Sequence, residues 1–239
     1  MVDANDQVLG QKEFLLFYKS SFREWSETVI IAFFLAIIIR SLVIQAFWIP
    51  TGSMEPTLFG EKSEPDGKGN FVLTRSGDRI LVNKFAYVAD LSLDGRIPFL
   101  PKISFSIPKR GDIIIFKYPD KDPLAKPRDF IKRVVGLPGD QIKIRQGIVY
   151  VNGVALVEDS YIKEPPLSDF ETVVPLENLF VMGDNRNNSA DSRYWGPMPL
   201  TNLKGQAVLL YWPLSRFGPI RSFPHPAVLS SHPETSQDK

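Results

Sequence analysis

Ser53, in Pro50-Thr51-Gly52-Ser53-Met54-Glu55-Pro56-Thr57, stands four residues beyond the end of a long apolar run and has the setting of a nucleophile held at a membrane surface. A hydroxyl attacks poorly at neutral pH until a neighbouring base takes its proton. The chain has two histidines, His225 and His232, both in a proline- and serine-rich tail, and no cysteine. That disfavours a Ser-His-Asp triad, a cysteine protease and most zinc sites, and leaves lysine as the best base. In Phe130-Ile131-Lys132-Arg133-Val134-Val135, the two-residue alternation of a strand puts Lys132 on the face of Phe130 and Val134, with Arg133 on the other. Apolar neighbours disfavour the ammonium form and lower a lysine's pKa, which turns the amine into a general base near neutrality. From this strand alone, a solvated lysine on an edge strand is the commoner reading.

The first element that must position Ser53 is the apolar segment before it. Residues 28–39 carry no charge, and after Arg40 the run resumes from Ser41 to Ile49. As one helix over residues 25–44 it reaches the roughly 20 residues needed for about 30 Å of hydrocarbon, with Trp25 at one interface and Arg40 snorkelling toward the other. A buried core helix over 28–49 and a signal peptide cut after Ala46 are the competing readings. Length and aromatic flanks favour a single anchor, and bulky Ile44, three positions before the cut, opposes cleavage. Lys12, Lys19 and Arg23 favour a short cytoplasmic amino-terminal segment, residues 1–24, with the bulk of the chain outside.

With 239 residues, 44% of them hydrophobic, one anchored domain over residues 45–221 is expected, followed by a flexible tail over 222–239. A net charge of +1 provides no field for nucleic acid, which is excluded as a partner. Twenty prolines and sixteen glycines suggest short strands between many turns. Strand-like runs cover residues 79–87, 112–118, 130–135, 141–145, 148–151, 179–182 and 206–212, and Asn152-Gly153 is a hairpin turn signal. The outer domain is therefore expected to be mainly antiparallel β. The polar stretch from Phe59 to Asn70 reads as a solvated loop.

Four blocks follow one another after the apolar segment: Pro50 to Leu58, Lys109-Arg110-Gly111-Asp112-Ile113-Ile114-Ile115-Phe116-Lys117-Tyr118-Pro119, Phe130 to Asp140, and Gly183-Asp184-Asn185-Arg186-Asn187-Asn188-Ser189-Ala190-Asp191-Ser192-Arg193-Tyr194-Trp195-Gly196. Together they resemble bacterial signal peptidase I from the anchor to about Trp212. The resemblance implies a single-pass enzyme of the plasma membrane, with the signal-peptidase/LexA-like β fold outside the cytoplasm, that cuts signal peptides from exported preproteins. It implies Ser53 as nucleophile, Lys132 as general base, Thr51 as an oxyanion-hole hydroxyl where the family usually has serine, and Ser189 as the hydroxyl orienting the lysine. Arg133 with Asp184, and Asp191 with Arg193, match supporting ion pairs. Ile49, Pro50, Met54, Leu58 and Ile131 match the walls of shallow apolar pockets, and the backbone at Asp129 and Phe130 matches the edge that pairs with substrate. The resemblance also implies a preference for Ala-X-Ala before the cut. Neither metal nor cofactor is implied, the other partners are the export translocase and the lipid bilayer, and a monomer is expected.

Phe47, Trp48, Trp195, Trp212 and Phe217 form either an interfacial rim or ordinary core aromatics. Compared with many relatives, residues 141–178 leave room only for a reduced accessory subdomain, while residues 59–76 form an extension. A self-cleaving repressor of the LexA type shares the Ser/Lys logic, but the first 24 residues are too short for a helix-turn-helix module. A membrane-tethered binding module without activity would have no need to keep Ser53, Lys132 and Ser189 together.

Overall fold

Isoleucine, valine and phenylalanine recur through the runs from residue 79 to 182, and their stiff branched or aromatic side chains suit pleated backbone better than helix. The structure, a computed structural model, describes residues 24–35, 43–90, 102–104, 106–120, 122, 124 and 126–223. The chain divides into two units, Met1–Val43 and Ile44–Lys239. In the first, residues 24–35 form helix α1, with Trp25, Val29, Ile30, Ile31, Phe33, Phe34 and Leu35 all exposed. Among the described residues no helix is long and apolar enough to cross a membrane. Residues 36–42 of the expected span, 1–23 of the amino-terminal segment and 224–239 of the expected tail lie outside the described residues.

The second unit is built from sixteen described strands: β1 (Ile44–Trp48), β2 (Lys62–Pro65), β3 (Phe71–Arg75), β4 (Arg79–Asn83), β5 (Val88–Asp90), β6 (Lys102–Ser104), β7 (Ile113–Lys117), β8 (Asp129–Gly136), β9 (Gln141–Arg145), β10 (Ile148–Val151), β11 (Val154–Ala155), β12 (Phe170–Val173), β13 (Asn178–Met182), β14 (Met198–Pro199), β15 (Leu203–Trp212) and β16 (Gly218–Pro219). The main sheet runs β1-β4-β15-β7-β8-β13-β14, with β16 added to β15, and its pairs are antiparallel. A second sheet, β11-β10-β9-β12, occupies the segment expected to hold a reduced accessory subdomain. Asn152 and Gly153 both take positive φ, 51° and 81°, in the tight turn from β10 to β11.

Strand β8 shows how the sheet is buried on both faces. On one face Ile131 packs against a cluster of Ile49, Met54, Leu58, Ile80, Val82, Ile113 and Ile115, and Val135 joins a second cluster with Phe180 and Met182 of β13 and Ile142 and Ile144 of the second sheet. On the other face Phe130 and Val134 pack with Ile114, Phe116, Leu179 and Val181. Each fully buried aliphatic side chain here contributes about 1.5–3 kcal/mol. Strand β13 pairs with β8 only at Arg133, Val134 and Gly136, whereas β7 pairs with residues 129–133 on the opposite edge. Among the described pairings, residues 129–132 keep one free strand edge.

The stretch expected to be a solvated loop is instead a two-stranded ribbon, β2 with β3. Phe71-Val72-Leu73-Thr74 has strand propensity that the preceding polar residues obscure. Asp66 closes the turn, its carboxylate accepting from the N–H groups of Lys68 and Asn70 at 2.8 Å each, with Gly69 at φ 83°.

Candidate active site

Two prolines bracket the serine loop, and in it Gly52–Met54 turns as a single 3-10 helical turn with Ser53 buried. Met54 and Leu58, neither exposed, root the loop in the core, and Leu58 donates its N–H to the Met54 carbonyl at 2.9 Å. From the next layer Asn185 grips the turn twice, its backbone N–H on the Ser53 carbonyl and its side-chain amide on the Gly52 carbonyl, both at 3.1 Å. Gly183 lies against the same turn. A Cβ there would meet Ser189 Oγ at 2.3 Å and the Ser53 carbonyl oxygen at 2.4 Å, so any side chain would force the serine turn or Ser189 to shift.

Lys132 arrives from β8 between Phe130 and Val134, its Nζ 5.3 Å from the centre of the Phe130 ring. Nζ lies 2.8 Å from Ser53 Oγ and 2.9 Å from the carbonyl of Ile131. Lys132 is 4% exposed and Ser53 8%. Burial pulls the lysine down from 10.5 to about 8, against the carboxylates of Asp191 and Asp184, which raise it. At pH 7 this shift makes the neutral amine far more abundant than in a solvated lysine. The arrangement has what acyl transfer requires: a hydroxyl, an amine within proton-transfer distance and surroundings that keep the amine partly neutral.

Ion pairs frame the site. Arg133 and Asp184, both fully buried, meet through two bonds of 2.8 and 2.7 Å, and Arg133 donates a third to the Gly111 carbonyl at 2.7 Å. Thr57 of the serine loop donates to Asp184 at 2.5 Å, so this pair also braces the loop that carries Ser53. Asp191 pairs with Arg193 through two bonds of 2.8 Å and accepts the Gly183 N–H at 3.1 Å. It also caps the short helix α2 (Ser192–Trp195).

Ser189 is buried, and its Oγ has no hydrogen-bond partner among the described residues. Thr51 is exposed, extended at φ −125° and ψ 153°, and its hydroxyl caps no N–H of the turn. Ile49 is buried with Met54 and Leu58, Pro50 is exposed, and Ile131 is half-buried against that cluster. Asp129 is exposed and pairs with Lys204 at 3.0 Å. Among the aromatics, Trp48, Trp212 and Phe217 are exposed, whereas Phe47 packs on the core and Trp195 lies against Phe116 and Tyr118. Among the described residues no cluster of side chains suits a metal ion.

Asn185 and Gly183 carry no role in the sequence pattern, although both stand in the last of the four blocks, beside Asp184. A third buried pair also escapes that pattern: Arg186 donates to both oxygens of Glu158 at 2.6 Å, and Tyr161 donates to the same carboxylate at 2.8 Å. Glu158 sits in an ordinary polar loop sequence, Val157-Glu158-Asp159-Ser160, which carries no signal of burial.

An antiparallel sheet that sets a serine hydroxyl against a buried, partly neutral lysine defines a serine endopeptidase. The chain belongs to the signal peptidase family, peptidase S26, whose family model matches residues 22–212. It is 36% identical over 202 residues to the probable signal peptidase I-2 of a Synechocystis species, covering 84% of this chain and 78% of that one. It is 36% identical to signal peptidase I of Leptolyngbya laminosa, covering 83% and 84% of the two chains. Signal peptidase I of Pseudomonas aeruginosa is 31% identical, with 86% and 78% covered.

Proposed function

We propose that this chain is a membrane-anchored endopeptidase that removes signal peptides from exported preproteins by cutting after small residues of the Ala-X-Ala type. The observation that carries the reading is Lys132 Nζ at 2.8 Å from Ser53 Oγ, both groups buried. Neutral Lys132 takes the Ser53 proton, and the oxygen attacks the scissile carbonyl. The resulting ammonium returns the proton to the leaving amine, and the same lysine then activates the water that hydrolyses the acyl-enzyme. The oxyanion is held by the Ser53 N–H and the uncommitted hydroxyl of Thr51, and the unpartnered Ser189 hydroxyl is available to the ammonium as it forms.

The free edge at residues 129–132 supports a substrate that binds as an added strand, bringing its scissile bond alongside Lys132. Ile49, Pro50, Met54, Leu58 and Ile131 bound pockets that reject bulk. Because the first four belong to the serine loop or its approach, small-residue selection and nucleophile placement share one segment.

A single span over residues 25–44, with the amino terminus cytoplasmic and the sheet outside, accounts for the apolar run that enters β1. Register supports an interfacial face on the sheet: Trp48 and Trp212 both lie opposite Arg79 on β4, forming a row across three strands, 50% and 44% exposed at its two ends. Tryptophan and arginine suit a headgroup layer.

The test is cleavage of a purified preprotein in detergent-lipid micelles by wild type, Ser53→Ala and Lys132→Met, with amino-terminal sequencing of the product. Cutting after Ala-X-Ala by wild type and no cutting by either folded variant is expected. Full activity of Lys132→Met would place the base elsewhere, and an inactive wild type would favour a binding module.

A further inference from the structure

Ser53 rides on a loop that leaves β1 after Trp48 and runs to Phe59, ahead of the β2–β3 ribbon, and both ends of it, Ile49 and Phe59, are tied to one residue, Asp78. Ile49 donates its N–H to the Asp78 carbonyl at 2.9 Å, and Asp78 donates its own N–H to the Phe59 carbonyl at 2.9 Å. Phe59 in turn donates its N–H to the Asp78 carboxylate at 2.7 Å. Asp78 is buried, and a carboxylate in such a place is costly without a cation.

Arg216 supplies the cation. It lies in the turn Leu214–Arg216, just beyond β15, and one arm of its guanidinium bonds the same carboxylate oxygen that Phe59 uses. The other arm bonds the carbonyl of Thr57, inside the serine loop, at 3.0 Å. The guanidinium also lies 4.1 Å from the centre of the Phe59 ring. A second guanidinium, Arg75 at the end of β3, lies 4.6 Å from the same ring, bonds the Gly60 carbonyl at 3.0 Å and pairs with Glu55. Phe59 is thus held by cations from two segments that the chemistry does not otherwise use, the β2–β3 ribbon and the strap after β15.

We infer that Asp78 and Arg216 are positioning residues for Ser53: they fix the closure of the loop over residues 50–58, and with it the aim of the hydroxyl at Lys132 and the scissile carbonyl. Arg75 adds a brace from the ribbon. The inference rests on Ser53 being the nucleophile. Neither member of the pair touches a reacting atom, and the carboxylates acting on Lys132 are Asp191 and Asp184, so the pair works through geometry. A displacement of about 1 Å at a nucleophile costs about 100-fold in rate.

The experiment uses the full chain in detergent-lipid micelles. It measures the acylation rate of Ser53 by a small serine-directed acylating agent, together with kcat and KM on a signal-peptide substrate, each normalised to the number of labelled sites. Arg216→Ala is expected to lower acylation rate and kcat per site by about 10- to 100-fold, with KM within about threefold and the acid limb of the pH profile unmoved. Arg216→Lys is expected to recover part of the loss. A purely structural role would reduce the number of labelled sites and leave the rate of each unchanged. A rate per site within twofold of wild type therefore overturns the inference. Should Arg216→Ala fail to fold, Asp78→Asn decides by the same twofold criterion, since it keeps the shape and an acceptor for Phe59 but loses the charge. Wild type unlabelled at Ser53 would instead remove the nucleophile reading, and this inference with it.

Discussion

Replacing Lys132 with methionine separates the lysine's chemistry from its cost to the fold. Burial holds the amine at about 8 against its ordinary 10.5. Between those values the unfolded chain binds the extra proton and the folded chain does not, so stability rises with pH across that window. Below about 8 both states are charged and the full cost is present, about 3 kcal/mol at about 1.4 kcal/mol per pH unit. Methionine is similar in length, apolar and free of that cost. It forfeits the bonds to Ser53 Oγ and the Ile131 carbonyl at every pH, about 1 kcal/mol each. Lys132→Met is therefore expected to be about 1 kcal/mol more stable than wild type at pH 7 and about 1 kcal/mol less stable at pH 10. For a domain of this size that swing is roughly 5–10 °C in the difference between the two Tm values. Thermal unfolding of both full chains in the same detergent, followed by tryptophan fluorescence at matched pH, cancels every other titrating group. Parallel curves of Tm against pH would overturn this prediction, because Lys132 would then titrate in the fold as it does in water and would be too protonated at neutral pH to serve as base.

Gly183→Ala places a methyl within 2.4 Å of the Ser53 carbonyl oxygen and 2.3 Å of Ser189 Oγ, and is expected to cut kcat by about 10- to 100-fold while the chain stays folded; unchanged turnover would mean the loop yields without moving the serine. Glu158→Gln leaves Arg186 buried without its counter-charge and is expected to cost about 3–5 kcal/mol, a fall in Tm of about 10 °C; a fall under about 2 °C would show that the pair contributes little. Asp191→Asn removes a charge that raises the Lys132 pKa, so the acid limb of the kcat/KM profile is expected to move to lower pH, and an unmoved or raised limb would count against that electrostatic assignment.

Much of the sheet was legible because its strands carry their own pattern. The Asn152-Gly153 turn and the runs at 141–145 and 148–151 stand in the structure at the residues where alternation put them. The ribbon over 62–75 was missed because charged and turn residues dilute its short apolar run, and β1 was missed because Ile44–Trp48 reads as a continuation of the apolar segment. At the site, alternation along β8 was enough to put Lys132 with Phe130 and Val134 and Arg133 on the opposite face. Pairing Lys132 with Ser53, 79 positions away, came only from the resemblance, as did pairing Arg133 with Asp184. Asp78, Glu158 and Arg216 gave no sign, because what matters about them is burial and contact with distant backbone, and neither has a local sequence signature.

One stretch, Gly183 to Arg193, grips the serine turn, locks Arg133 and supplies the two negative charges that act on the lysine. The protonation of Lys132 and the placement of Ser53 are therefore inherited together. A lineage moving to a more acidic compartment gains from losing Asp184 or Asp191, since either loss makes more free amine, yet the same loss unseats Arg133 or the Gly183 contact. Adaptation of the working pH has to pass through residues elsewhere around Lys132, or through paired changes that arise together, and single substitutions in this stretch face selection from both sides at once.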